Sequence, residues 1–163
     1  MQVYHIETTP YPKATIKKKL LMYIDLINSA LQEYGTNELL NGRTNPRILE
    51  YRSTIGLSST TDNFPWCAAF TNFILKKEGY KYLKSLLAKD FLKYGTKTDK
   101  PTLGCIVVFW REDINSNHGH VGFFISEFNG YIYVLSGNQS NEVRIQPHPK
   151  ARLLQYVVPT KII

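Results

Sequence analysis

The chain runs to 163 residues, 43% hydrophobic and 20% charged, a composition that excludes a disordered, collagen-like or disulfide-built chain. Its 20 Lys and Arg against 13 Asp and Glu give a net charge of +7 and a pI near 9.4. Such a balance points to an anionic partner or environment, whether nucleic acid, an anionic cell wall or a membrane surface, while no apolar run approaches the roughly 20 residues of a membrane span.

One domain covering residues 1–163 is expected, with 1–13 an irregular lead punctuated by Pro10 and Pro12. The lead begins Met1-Gln2-Val3-Tyr4-His5-Ile6-Glu7, which lacks the basic-then-apolar layout of a secretory signal. Synthesis in the cytoplasm is therefore expected, with delivery by another route for any role outside. From 14 to 34, Ile16, Leu20, Tyr23, Ile24, Ile27, Leu31 and Tyr34 recur every three or four residues and predict an amphipathic helix closed by Gly35. Lys17-Lys18-Lys19 falls in its first turns and reads as a solvated face. Pro46 starts a short helical turn through Ile48, Leu49 and Tyr51, and 53–63 reads as polar loop.

Two more helices are predicted, Pro65 to Glu78 ending at Gly79, and Tyr82 to Tyr94 with Leu83, Leu86, Leu87 and Phe91 inward. Beyond Gly95 the pattern changes. Leu103 to Trp110 is a continuous β-branched and aromatic run, as in a strand buried on both faces. After a polar loop, Arg111 to Gly119, comes a strand from His120 to Ser126, then the hairpin signal Asn129-Gly130 and a return strand Tyr131 to Leu135. Glu142 to Ile145 and Leu153 to Val158 read as further strands. Helices first and hairpins second give an α+β class.

Cys67 is the residue best placed for chemistry. Trp66, Ala69, Phe70, Phe73 and Ile74 form the apolar stripe of its helix, and Cys67 borders that stripe about a quarter-turn from Trp66. Lying in the first turn, it sits among unpaired N–H groups at the positive helix end, a position that lowers a thiol's pKa. Packing as a small hydrophobe is the plainer reading of the same residue. Cys105 opens a buried strand instead.

A nucleophilic thiol needs a base, and there are four histidines. His5 lies in the lead, His148 between Pro147 and Pro149 in an expected loop, and His118 and His120 flank Gly119. His120 alone starts a strong strand, sharing a face with Gly122 and Phe124; a purely structural histidine at a strand edge is the plainer reading. The hairpin places position 120 opposite 139, give or take a bulge, so Asn138 or Gln139 reaches the ring and fixes its orientation and tautomer.

The runs Asp62-x-x-Pro65-Trp66-Cys67-Ala68-Ala69-Phe70, Pro101-x-x-Gly104 before a strand ending Val108-Phe109, Gly119-His120-Val121-Gly122-Phe123 and Gly137-Asn138-Gln139-Ser140 resemble one family. It is the CHAP and NlpC-type group of papain-like cysteine peptidoglycan hydrolases, and the likeness is strongest to small phage-lysin and bacterial-effector members. The resemblance covers roughly Gly35 to Pro159. It implies a papain-like core in which N-terminal helices, one bearing the cysteine, pack on an antiparallel sheet bearing the histidine. Cys67 would be the nucleophile, His120 the base and Asn138 the orienter, with Gln139 as substitute if the register slips. Trp66 and Gln139 would support substrate or oxyanion.

The implied activity is amidase or endopeptidase cleavage of peptidoglycan by a monomer without cofactor or metal. An immunity protein, or a holin or secretion machinery, would be its protein partners, and nucleic acid would not. Gly104-Cys105 stands where relatives commonly have Gly-Asp. Two other classes remain open from the residues alone. One is a metal site joining His118, His120 and a cysteine; the other is a non-catalytic basic module that binds the wall.

Overall fold

The computed structural model describes residues 13–40, 43–57 and 64–162; residues 1–12 of the expected irregular lead, with His5, and residues 58–63 of the expected polar loop, with Asp62 and Asn63, lie outside them. The first helix, α1 (Lys13–Leu31), ends in turns that run to Gly35, whose φ of 86° lies in the left-handed region. Helix α2 (Pro46–Thr54) has proline in its first turn. Its N-cap is Asn45, whose side chain accepts from the Arg47 amide at 2.9 Å. An ion pair ties the two helices together, since Glu33 just beyond α1 receives both Arg47 and, at 2.7 Å, the Tyr51 hydroxyl.

Helix α3 (Cys67–Lys77) follows, capped at its end by Gly79 with φ 69°. The predicted helix from Tyr82 to Tyr94 is absent: only a 3₁₀ helix, Ala88–Lys93, forms there. Side-chain hydrogen bonds hold the chain off the helical path. Asn72 Oδ1 accepts from the Leu83 amide at 2.6 Å, and Ser85 Oγ accepts from the Leu87 amide at 3.0 Å while donating to Asp90.

Among the described residues six strands make one antiparallel sheet: β1 (Thr96–Thr98), β2 (Ile106–Trp110), β3 (Gly119–Phe128), β4 (Tyr131–Gln139), β5 (Glu142–Pro149) and β6 (Leu153–Val158), in the order β1-β6-β2-β3-β4-β5. The short edge strand β1 had no signal in the sequence. The Asn129-Gly130 turn joins β3 to β4 with both residues at positive φ, 50° and 77°, as a tight hairpin requires. One face of the sheet packs Ile106, Val108, Val121, Phe123, Leu135, Val143 and Val157 against Phe70, Ile74 and Leu75 of α3 and Leu26 of α1. The other face gathers Cys105, Val107, Phe109, Phe124, Ile132, Val134 and Tyr156. Strand β2 is thus buried on both sides, as its unbroken apolar run predicts.

Close approach locks α3 to β4. A Cβ on Gly137 would stand 2.5 Å from Trp66 Cζ3 and 2.8 Å from Phe70 Cβ, so only glycine lets the strand lie flat on the helix start. Trp66 is fully buried there, and its Nε1 donates to Glu38 at 2.7 Å. The expectation that Trp66 supports substrate or oxyanion meets a different placement: its ring is core, stacked on Tyr51, because a bulky indole at the N-cap falls between helix and sheet.

Candidate active site

Cys67 is the first residue of α3, and no side chain caps that helix, so its first-turn N–H groups are left to face whatever lies beside the sulfur. The thiol is 2% exposed and borders a cavity of about 500 Å³ with Phe64, Pro65, Leu87, Arg111, Glu112 and His118. Burial pushes its pKa up; the backbone N–H groups of Val121, Ala68 and Cys67 and the charge of Arg111 oppose that rise without reversing it. The expectation of a lowered pKa at the helix start is thus corrected. Desolvation of a nearly inaccessible sulfur outweighs the field of the helix N-terminus.

His120 is the second residue of β3, one place in from the first position predicted for it, and is 5% exposed. Its partner is Gln139: ring Nε2 lies 3.0 Å from Gln139 Oε1. The amide's orientation follows from its other contacts, because Gln139 Nε2 donates to the carbonyls of Val134, at 3.0 Å, and Arg144. An amide whose nitrogen faces two carbonyls must present its oxygen to the ring, so His120 carries its proton on Nε2 and keeps Nδ1 as the basic nitrogen. Asn138, read first as the orienter, adopts φ 56° and makes no hydrogen bond to His120; it lines the same cavity. The β3–β4 ladder shifts register between Phe124 and Ser126 and its pairing ends at Phe123 and Leu135, while a second irregularity, between β4 and β5, lies between Ser136 and Gln139; it is the longer amide, that of Gln139, that meets the imidazole.

A further residue joins this group. His148, expected in a loop, lies on β5 opposite Ile132. Its ring is stacked between Phe109, at 4.9 Å, and His120, at 4.8 Å, and its Nε2 meets the same Gln139 oxygen at 2.7 Å. Both lone pairs of that oxygen are therefore taken. Burial, the proximity of His148, and Arg111 carry the His120 pKa down to about 3, against the Gln139 bond that raises it. His148 falls to about 4 through burial and the charges of Arg111 and Arg152. At neutral pH both rings are uncharged.

The structure brings His120, Gln139, Asn138 and His148 to one cavity of about 300 Å³ and leaves Cys67 on a second, with the Val121 amide beside its sulfur. No hydrogen bond links Cys67 to the His120 ring among the described residues. Arg111 borders both cavities. His118 pairs with Glu112 at 2.9 Å rather than with His120, and among the described residues no three His, Cys, Asp or Glu side chains converge to hold a metal. No helix there is long and apolar enough to cross a membrane.

The CHAP domain model matches residues 59–138, a span that includes Cys67, His120 and Asn138. Among solved structures, the P60 domain of one M. avium subspecies paratuberculosis antigen is similar at TM-score 0.52 and 16% identity, over 90% of this chain and 98% of that one. A second P60 domain from M. avium paratuberculosis gives 0.52 at 12% identity, over 92% and 99%. RipD of Mycobacterium tuberculosis, described as a non-catalytic NlpC/p60 domain protein adapted to peptidoglycan binding, reaches 0.48 at 13% identity over 87% and 98%. No curated protein sequence matches. A cysteine-bearing helix on an antiparallel sheet that presents the histidine, with the CHAP match spanning both residues, is a mixed α+β fold that this chain shares with the P60 domains.

Proposed function

We propose that the chain hydrolyses an amide bond of peptidoglycan, as amidase or endopeptidase, through the Cys67 thiol. His120 Nδ1 takes the thiol proton as sulfur attacks the carbonyl carbon. The oxyanion so formed accepts hydrogen bonds from the first-turn N–H groups of α3, and His120 returns the proton to the leaving amine as the C–N bond breaks. Water then attacks the thioester, releasing a carboxylic acid and the thiol. Because both groups start neutral and make no direct bond, the first step includes a side-chain rotation that brings Nδ1 to Sγ. Gln139, not Asn138, holds the tautomer. The chain acts at the cell wall.

The observation that carries this reading is the Gln139 amide, whose two donors are spent on backbone carbonyls, so that its oxygen leaves His120 with a free Nδ1. Digestion of purified sacculi followed by mass spectrometry of the released muropeptides tests it and names the bond cut. Cys67→Ala should stay folded and release nothing; release undiminished in that variant ends the proposal. Binding to the wall without turnover is the second reading, favoured by the buried thiol and the missing thiol–imidazole bond. It predicts that wild type and Cys67→Ala both pull down with sacculi and that neither releases muropeptides.

A further inference from the structure

Arg111 is the residue at which the cavities around the site meet. It borders the His120 cavity, the Cys67 cavity and a third of about 470 Å³ that opens between Glu38, Phe64 and Asn138. Its backbone is fixed. It stands at the neck of the β2–β3 hairpin, where its amide donates to the His118 carbonyl at 3.1 Å, and Lys89 ties the loop down through the carbonyls of Ile114, at 2.8 Å, and Ser116.

Its side chain is exposed and makes no hydrogen bond or ion pair among the described residues. The two carboxylates that border these cavities are already engaged, Glu38 by the Trp66 indole and Glu112 by His118. Arg152, which also borders the His120 cavity, lies over the Trp110 ring at 5.2 Å and adds positive charge. A guanidinium rooted in a rigid neck, without a counter-ion, at the common mouth of the thiol and imidazole cavities is built to receive an anion. Its planar fork fits two oxygens side by side.

We infer that Arg111 docks a carboxylate of the substrate, so that the cleft selects amides carrying a free carboxylate close to the scissile bond. This rests on the hydrolase reading and adds a specificity determinant to it. A docked carboxylate would lie against the charge that now disfavours protonation of His120 and His148. Substrate binding would thereby ease the imidazolium through which the reaction passes.

The test uses pairs of muropeptides that differ only in one carboxylate, free or amidated, with wild type, Arg111→Lys and Arg111→Gln. Wild type should show a KM about 10- to 100-fold lower for the free acid, the range of one charge-assisted pair. Arg111→Gln should erase that ratio by raising the KM of the acid, with Arg111→Lys between, and kcat should change far less. An equal loss on both members of a pair, or a loss in kcat alone, would overturn the inference and place Arg111 with the reacting atoms. Walls stripped of phosphate polymers form a separate arm: a defect of Arg111→Gln that vanishes on stripped walls assigns the anion to wall phosphate and overturns the carboxylate. Should wild type cut nothing, the hydrolase reading fails by itself, and titration of the same pairs into Cys67→Ala still decides docking. A free-acid preference there that Arg111→Gln abolishes supports it, and equal affinities end it.

Discussion

Acidification should unfold this protein in a pH window set by two histidines. His120 and His148 share one oxygen of Gln139, stack on each other, and have pKa values near 3 and 4 in the fold against an ordinary 6.5. The unfolded chain therefore binds protons below pH 6.5 that the folded chain refuses, so stability is complete above 6.5 and falls as pH drops toward the folded values. Each refusing group costs about 1 to 1.5 kcal/mol per pH unit, so at pH 4.5 the pair removes roughly 5 kcal/mol, the scale of a small domain's whole stability. Glu33, whose pKa is lowered against the trend of its burial by Arg47 and Tyr51, adds its loss only below its ordinary 4.5, outside this window.

Urea unfolding at half-unit steps from pH 7.5 to 4.5 measures the slope. His148→Phe keeps a ring between Phe109 and His120 but cannot titrate, and it should roughly halve the slope. A wild-type slope under about 0.5 kcal/mol per unit, or an unchanged slope in His148→Phe, would refute the picture of two buried neutral imidazoles.

Three other outcomes are expected. Gln139→Leu strips His120, His148 and two backbone carbonyls of their partner, and should lower turnover of sacculi on the order of tenfold or more, whereas Asn138→Ala should keep most of it; the reverse ranking would return Asn138 to the ring. Gly137→Ala drives a methyl into Trp66 and Phe70, and should cost about 1 to 3 kcal/mol by the shift in urea midpoint, because the indole is pinned by Glu38 and cannot swing aside. Iodoacetamide should modify Cys67 slowly at pH 7 and faster only above the ordinary thiol range, since burial raises its pKa; rapid labelling near neutrality would show a preformed thiolate.

Much of this was legible in the sequence because short-range patterns decide it. The β2 run, the Asn129-Gly130 turn and the stripe flanking Cys67 each name their own structure. What stayed hidden depends on neighbours far along the chain. Leu83, Leu86, Leu87 and Phe91 carry a helical spacing, yet Asn72, from another element, takes the Leu83 amide, and Ser85 takes the Leu87 amide. The choice between Asn138 and Gln139 hung on the carbonyls of Val134 and Arg144, which hold the Gln139 amide with its oxygen toward the ring, and on irregularities in both ladders of β4 that no local residue announces. His148 was read as loop because proline flanks it on both sides, and prolines are barred from paired strand positions but not from the outward side of an edge.

That outward side has a consequence for how the molecule meets its own copies. The Val143 amide points away from β4, donating to Thr36 at 2.8 Å, so by alternation positions 145, 147 and 149 point the same way. Two of those three are prolines and offer no N–H. With Thr36 covering the start of β5 and prolines closing its end, a single amide, that of Ile145, is left for a stranger's strand to pair with. The margin of the sheet that seats His148 is therefore a poor template for cross-molecular sheet growth. Replacing Pro147 and Pro149 would risk the solubility of the protein before it touched the chemistry.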